Sequence, residues 1–105
     1  MKVNIKTKNF ELTEAIRDYI QDKMDYLDRL VSEWEKEGSV EMDFEAAKDT
    51  MHHNKGKIYY AEANLSVPGK VLRASKNGED LHSAIDEVKE VLASEIKKYK
   101  EQSRP

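Results

Sequence analysis

From Lys2 to Lys8 the chain alternates: Val3, Ile5 and Thr7 fall on one side, Lys2, Asn4, Lys6 and Lys8 on the other. A period of two predicts a half-buried strand. The period then lengthens. Ile16, Tyr19, Ile20, Met24, Leu27, Leu30, Val31 and Trp34 recur at spacings of three and four, the apolar stripe of a long amphipathic helix. Thr13 is its expected N-cap, Glu14 complements the helix dipole, and Gly38 is its expected end. Its outer face is acidic, with Glu14, Asp18, Asp22, Asp25 and Asp28.

Val40, Met42, Phe44 and Ala46 alternate with Glu41, Asp43 and Glu45, which predicts a second strand. Residues 48–56 (KDTMHHNKG) are polar and turn-rich and read as a loop. From Lys57 to Val67 one face offers Tyr59, Ala61, Ala63, Leu65 and Val67, where the small alanines let helices sit close to a sheet. Pro68-Gly69 fits the central positions of a type II turn. Leu72 and Ala74 face inward from a fourth strand, which Asn77-Gly78 is expected to break. Leu81, Ala84, Ile85, Val88, Val91, Leu92, Ile96 and Tyr99 then build the last helix, and the tail EQSRP reads as frayed.

The order β-α-β-β-β-α, with a right-handed crossover through the first helix, makes the first two strands parallel and the rest an antiparallel meander. The predicted fold class is α+β: a two-layer sandwich with a four-stranded mixed sheet and two helices packed on one face. The other sheet face is left to water.

Length bounds this to one domain: 105 residues suffice for a two-layer core without covalent staples. There is no cysteine, which excludes disulfides and thiolate metal sites and fits a reducing compartment. No stretch approaches the ~20 apolar residues of a membrane span, and MKVNIKTKNFEL lacks the apolar run of a signal peptide. A soluble, cytoplasmic protein is expected. The formal net charge is −3, so overall attraction to a polyanion is not available. The distribution is uneven, however. Residues 1–10 carry three lysines and no acid, residues 32–49 seven acids against two bases, and residues 50–76 five bases against one acid.

On a wheel of about 100° per residue, Lys89, Lys97, Lys100 and Arg104 fall on one flank of the last helix, with His82 among them and Asp86 interrupting. Four cations so spaced can follow a phosphate backbone. The commoner origin of such a stripe is a solvated face with lysines near the helix C-terminus. Lys23 sits almost at the centre of the first helix's apolar stripe, where a snorkelling stem is the ordinary explanation and a required ammonium the alternative. His52 and His53, flanked by Lys48, Lys55 and Lys57, form a basic loop tip that can stack on bases or contact phosphates, or is simply a polar hairpin. No metal-ligand spacing surrounds them. No serine stands in a nucleophile elbow and no glycine cluster cradles phosphate, so neither enzyme nor cofactor nor small-molecule substrate is expected. Tyr60, Glu62 and Asn64 on the open sheet face are ordinary solvated strand residues or a binding surface.

Three segments, NIKTKNFELTEAIRDYIQDKMDYLDRL, AEANLSVPGKVLRA and GEDLHSAIDEVKEVLASEIKKYK, carry a resemblance over most of the chain. In combination their T-x-A-I-R, V-P-G, E-D-L and A-I-D pieces, followed by a Lys-rich helix end, resemble the ribosome hibernation-promoting factors. These are also called ribosome-associated inhibitors or ribosomal subunit interface proteins. The resemblance implies the same β-α-β-β-β-α sandwich, similar to double-stranded-RNA-binding domains. It implies binding to the small ribosomal subunit and its ribosomal RNA, in the channel of messenger RNA and tRNA anticodons, which blocks translation and preserves idle ribosomes. Arg17, Lys23 and Arg29 match basic positions of that family's first helix, and Lys97, Lys98 and Lys100 the basic end of its last.

The chain departs from the pattern at Val91 and Ser94, positions often basic in relatives, and at His82, where Tyr is common. Its 48–56 loop is longer than in many members. Part of the RNA-binding charge is therefore expected on the loop, through Lys48, His52, His53, Lys55 and Lys57, beside Lys89 and Arg104. Residues 1–101 are expected to be one ribosome-binding domain and 102–105 a short tail. No C-terminal dimerisation domain is expected, so the factor would be a monomer when free. A general double-stranded-RNA-binding module, or a protein-interaction domain using the acidic face, is the alternative.

Overall fold

A computed structural model describes residues 1–49 and 58–102. Strand β1 (Lys2–Lys8) leads into helix α1 (Glu14–Asp28), a 3-10 turn (Arg29–Val31) and a short helix α2 (Ser32–Glu35). Strands β2 (Glu41–Lys48), β3 (Tyr59–Val67) and β4 (Lys70–Gly78) follow, then helix α3 (Leu81–Gln102). The sheet order is β1-β2-β3-β4, with β1 parallel to β2 and the other pairs antiparallel, as predicted.

Register explains the two faces. One row runs Val3, Met42, Leu65, Leu72 and the next Ile5, Phe44, Ala63, Ala74. The side chains of β2, β3 and β4 in these rows are buried under Ile20, Met24 and Leu27 of α1 and Ile85, Val88, Leu92 and Ile96 of α3. Ala61 and Ala63 are fully buried, as expected of small residues beneath packed helices. The opposite rows, such as Lys6, Glu45, Glu62 and Ser75, form the open face.

Local chemistry fixes the ends. Thr13 Oγ1 accepts from the Ile16 N–H at 3.2 Å, the predicted N-cap. Asp80 caps α3, its carboxylate accepting from the Ser83 N–H at 2.8 Å and from the Ser83 hydroxyl at 2.9 Å. Those bonds hold the Asp80 carboxyl below the usual carboxylate range. Gly69 has φ of +82°, the conformation the second central position of a type II turn requires. The Tyr99 hydroxyl donates to the Pro68 carbonyl at 2.9 Å and ties that turn to α3.

Three expectations need correction. The first helix is not continuous to Gly38: it tightens at Arg29–Val31, and Val31 takes φ −109°, ψ 5° before the chain resumes as α2. The Ser32 hydroxyl donates back to the Arg29 carbonyl at 3.1 Å, a bond that competes with helical pairing. Asn77-Gly78 does not break β4, since both residues pair with β3. Gly78 is there for space: a Cβ would stand 3.2 Å from that of Ala84, where α3 crosses the strand. Finally, Glu101 and Gln102 are helical, so the chain does not fray from Glu101.

Candidate nucleic-acid interface

The spacing of Tyr19, Lys23 and Tyr26 on α1 matches that of His82, Asp86 and Lys89 on α3. Residues four and then three apart share one helix face. The two sets meet in order, so the helices run in the same direction and the contacts form a ladder along their groove. On the first rung the Tyr19 and His82 rings meet edge to face, centroids 4.3 Å apart. On the second, Asp86 Oδ1 accepts from the Tyr19 hydroxyl at 2.7 Å and lies 3.5 Å from Lys23 Nζ. Lys23 Nζ is also 5.2 Å from the centre of the Tyr19 ring. On the third, Lys89 Nζ stands 3.9 Å from the centre of the Tyr26 ring, with the Arg29 guanidinium at 4.8 Å. Beyond it the groove closes on Trp34, which meets Tyr99 at 5.5 Å and Lys100 Nζ at 5.6 Å.

Arg29, Lys89 and Lys100 thus rest on aromatic rings, with no carboxylate among the described residues close enough to pair with them. The attraction is worth about 0.5–1 kcal/mol where solvent reaches it, enough to bias a long side chain towards the groove and weak enough to release it. Lys23 differs in having a counter-ion, Asp86. The same carboxylate, together with burial, pushes the Tyr19 hydroxyl up to about 12, so it remains a donor throughout the physiological range.

At the other end of the groove Lys48 and His82 line one cleft of ≈ 320 Å³ with Phe10, Ile16, Tyr59, Asp80 and Leu81. Lys48 Nζ lies 5.9 Å from the Tyr59 ring centre. Lys97 is exposed near the groove's far end. Lys98 points about 180° around α3 from Lys89, and Arg17 about 180° around α1 from Tyr26, so both exposed side chains stand outside the ladder. His52, His53, Lys55, Lys57 and Arg104 lie outside the described residues.

The open sheet face has the opposite character. Asn4 Nδ2 donates to Glu41 at 2.6 Å and to Asp43 at 3.0 Å, and Lys6 pairs with Glu45 at 3.6 Å. Tyr60 and Asn64 both donate to Glu62, at 2.9 and 3.1 Å. The residues of this face are thus largely bonded to one another. Among the described residues no cluster of acidic, histidine or cysteine side chains could hold a metal, and no helix is long and apolar enough to cross a membrane.

A family model described as Sigma 54 modulation protein / S30EA ribosomal protein matches residues 3–104. The chain belongs to this family. Within the S30EA family it is 31% identical over 104 residues to a ribosome hibernation promoting factor of Pseudomonas putida, covering 99% of this chain and 91% of that one. It is 29% identical over 93 residues to the ribosome hibernation promotion factor of Deinococcus radiodurans, covering 89% of this chain and 46% of that protein. The chain thus spans about half the length of the Deinococcus protein. The crystal structure of the N-terminal domain of Thermus thermophilus Protein Y superposes with a TM-score of 0.75 at 27% identity, over 94% of this chain and 99% of that one. The S30EA fold is therefore shared by sequence and by shape.

For this S30EA chain, Lys23, Arg29, Lys89 and Lys100 are the candidate residues that the groove brings together. Tyr19, Tyr26, Asp86 and Trp34 complete it and were not singled out as site residues from sequence. Their signal was present in the matched four-and-three spacing of two helices far apart in the chain.

Proposed function

We propose that the chain is a ribosome-binding translation inhibitor. It occupies the messenger RNA and tRNA channel of the small ribosomal subunit and preserves idle ribosomes in the cytoplasm. Membership of the S30EA family supports this reading. The observation that carries it is the α1–α3 groove, where Lys23, Arg29, Lys89 and Lys100 are gathered on a protein whose net charge is −3.

The mechanism is steric. Groove cations exchange their aromatic contacts for ribosomal RNA phosphates, and the bound domain blocks the path of message and tRNA; no covalent chemistry is involved. Lys48 and Lys97 extend the contact at the two ends, Arg17 and Lys98 reach RNA to either side, and His52, His53, Lys55, Lys57 and Arg104 add further basic contacts. Four groove cations, each on one phosphate, give a fall in log K with log salt of slope about −3. The open sheet face, where Lys2, Lys6, Lys8 and Arg73 balance Glu41, Asp43, Glu45 and Glu62, turns away from RNA. The domain of residues 1–101 acts as a monomer.

Sedimentation of the folded protein with purified small subunits tests the reading. We expect comigration at low salt that is lost as salt rises and that excess duplex RNA does not displace. No comigration at low salt overturns the reading. Displacement by duplex would make the chain a general double-stranded-RNA-binding module.

A further inference from the structure

Tyr26 is 45% exposed, one of only two large apolar side chains so exposed among the described residues. It stands mid-groove between a cation of α3 and one of the turn that follows α1, Lys89 at 3.9 Å from its ring centre and Arg29 at 4.8 Å. Tyr19, Tyr60 and Tyr99 each spend a hydroxyl on an internal hydrogen bond; among the described residues Tyr26 makes none. Its half-exposed ring lies against two cations, where a partner can reach it.

An A-form duplex offers phosphates, 2′-hydroxyls and base edges along its groove, and keeps base faces stacked inside. An accessible ring flanked by cations suits a base that has left its stack. We propose that Tyr26, Arg29 and Lys89 form a seat for one unpaired nucleotide of RNA. The phenol ring takes the base, and the two cations take the phosphates on either side of it. Lys89 holds the ring in the free protein. The arriving nucleotide supplies a base for the ring and a phosphate for the displaced ammonium. The inference rests on reading the groove as an RNA surface and narrows its partner to RNA that is single-stranded at this point.

The test compares wild type, Tyr26→Ala, Tyr26→Leu and Tyr26→Phe for binding to purified small subunits across a salt series, with circular dichroism to check folding. Loss of the ring in the Ala and Leu variants weakens binding roughly five- to a hundredfold, and Phe restores most of it. The salt slope stays at the wild-type value in all three, because no charge is removed. Lys89→Gln instead lowers the slope by about 0.7, one phosphate's worth. Wild-type affinity in folded Tyr26→Ala overturns the seat and leaves the proposed function standing. If wild type itself ignores small subunits, the proposed function falls, and the seat is judged on a short oligoadenylate against a short RNA duplex. Preference for the single strand that vanishes in Tyr26→Ala supports the seat; preference for the duplex, or indifference to Tyr26, overturns it.

Discussion

Asp86→Asn separates the two jobs of the one carboxylate in the ladder. Asp86 lies 2.7 Å from the Tyr19 hydroxyl and 3.5 Å from Lys23 Nζ. Asparagine keeps an oxygen to accept from Tyr19 but removes the charge. The Lys23 and Asp86 side chains are 32% and 48% exposed, so water screens the pair and its loss costs at most about 1 kcal/mol of stability. On the RNA side the sign reverses. A phosphate bonded to Lys23 would stand on the order of 6 Å from the carboxylate, and like charges at that separation repel by about 0.7 kcal/mol in water-like surroundings. Lys23 also ceases to divide its charge. The variant should bind small subunits roughly three- to tenfold more tightly at low salt, an advantage that shrinks as screening increases.

A second readout accompanies it. The hydrogen bond to Asp86, then burial, then the repulsion of tyrosinate by the Asp86 charge push the Tyr19 hydroxyl up from 10.0 to about 12. A group raised on folding stabilises fully below its unfolded value and loses that contribution as pH climbs through the folded one. The native contribution therefore disappears between about pH 10 and 12, and Asp86→Asn moves the loss downward. Ultraviolet titration of tyrosinate measures the shift. Weaker subunit binding by a variant that folds normally would refute the reasoning: Asp86 would then be shaping the contact rather than opposing phosphate.

Reversal of Lys97 and Lys100 to Glu should weaken subunit binding and flatten its salt slope by about 1.4, two phosphates' worth, in the same sedimentation assay. Gly69→Ala forces a side chain to φ of +82° and places its Cβ 3.1 Å from the Tyr99 hydroxyl oxygen, so chemical denaturation should show a loss of about 1–3 kcal/mol. Leu92→Ala empties a fully buried position between α3 and the sheet and should cost about 2–5 kcal/mol by the same measurement. Asp80, held below the ordinary carboxylate range by its bonds to Ser83, stabilises above its unfolded value and ceases to do so as pH falls through its depressed one. Asp80→Asn should remove that acid dependence from the circular dichroism of α3.

The fold was legible because each element's period is a local property. Alternation at Val3–Ile5–Thr7 and at Met42–Phe44–Ala46, and three-and-four spacing from Ile16 to Leu27, identify their own burial without a partner. What failed depended on partners. The apolar stripe runs unbroken through Leu30, Val31 and Trp34, so nothing periodic marks the tightened turn at Arg29–Val31. Gly78 reads as a breaker from composition, yet its extended pairing with Tyr59 and the closeness of Ala84 decide its conformation.

The site was legible as charge but not as geometry. A wheel of one helix placed Lys89 and Lys100 on a common flank and saw Asp86 only as an interruption. That Asp86 is the counter-ion of Lys23 requires knowing that two helices lie side by side in parallel. The aromatic partners were invisible for the same reason: Tyr19 and Tyr26 look like ordinary members of one helix until His82 and Lys89 arrive from the other. Lys23 shows both sides of this. Its odd place in an apolar stripe was read from sequence, and its cause, an ion pair across the groove, was not.

The central claim is that the groove between α1 and α3, not the open sheet, faces RNA. Lysine acetylation read by mass spectrometry, with and without bound small subunits, tests it most directly. Lys23, Lys89 and Lys100 should become protected while Lys2 and Lys6 on the sheet face remain as reactive as in the free protein. Protection of Lys2 and Lys6 with the groove lysines unchanged would contradict it.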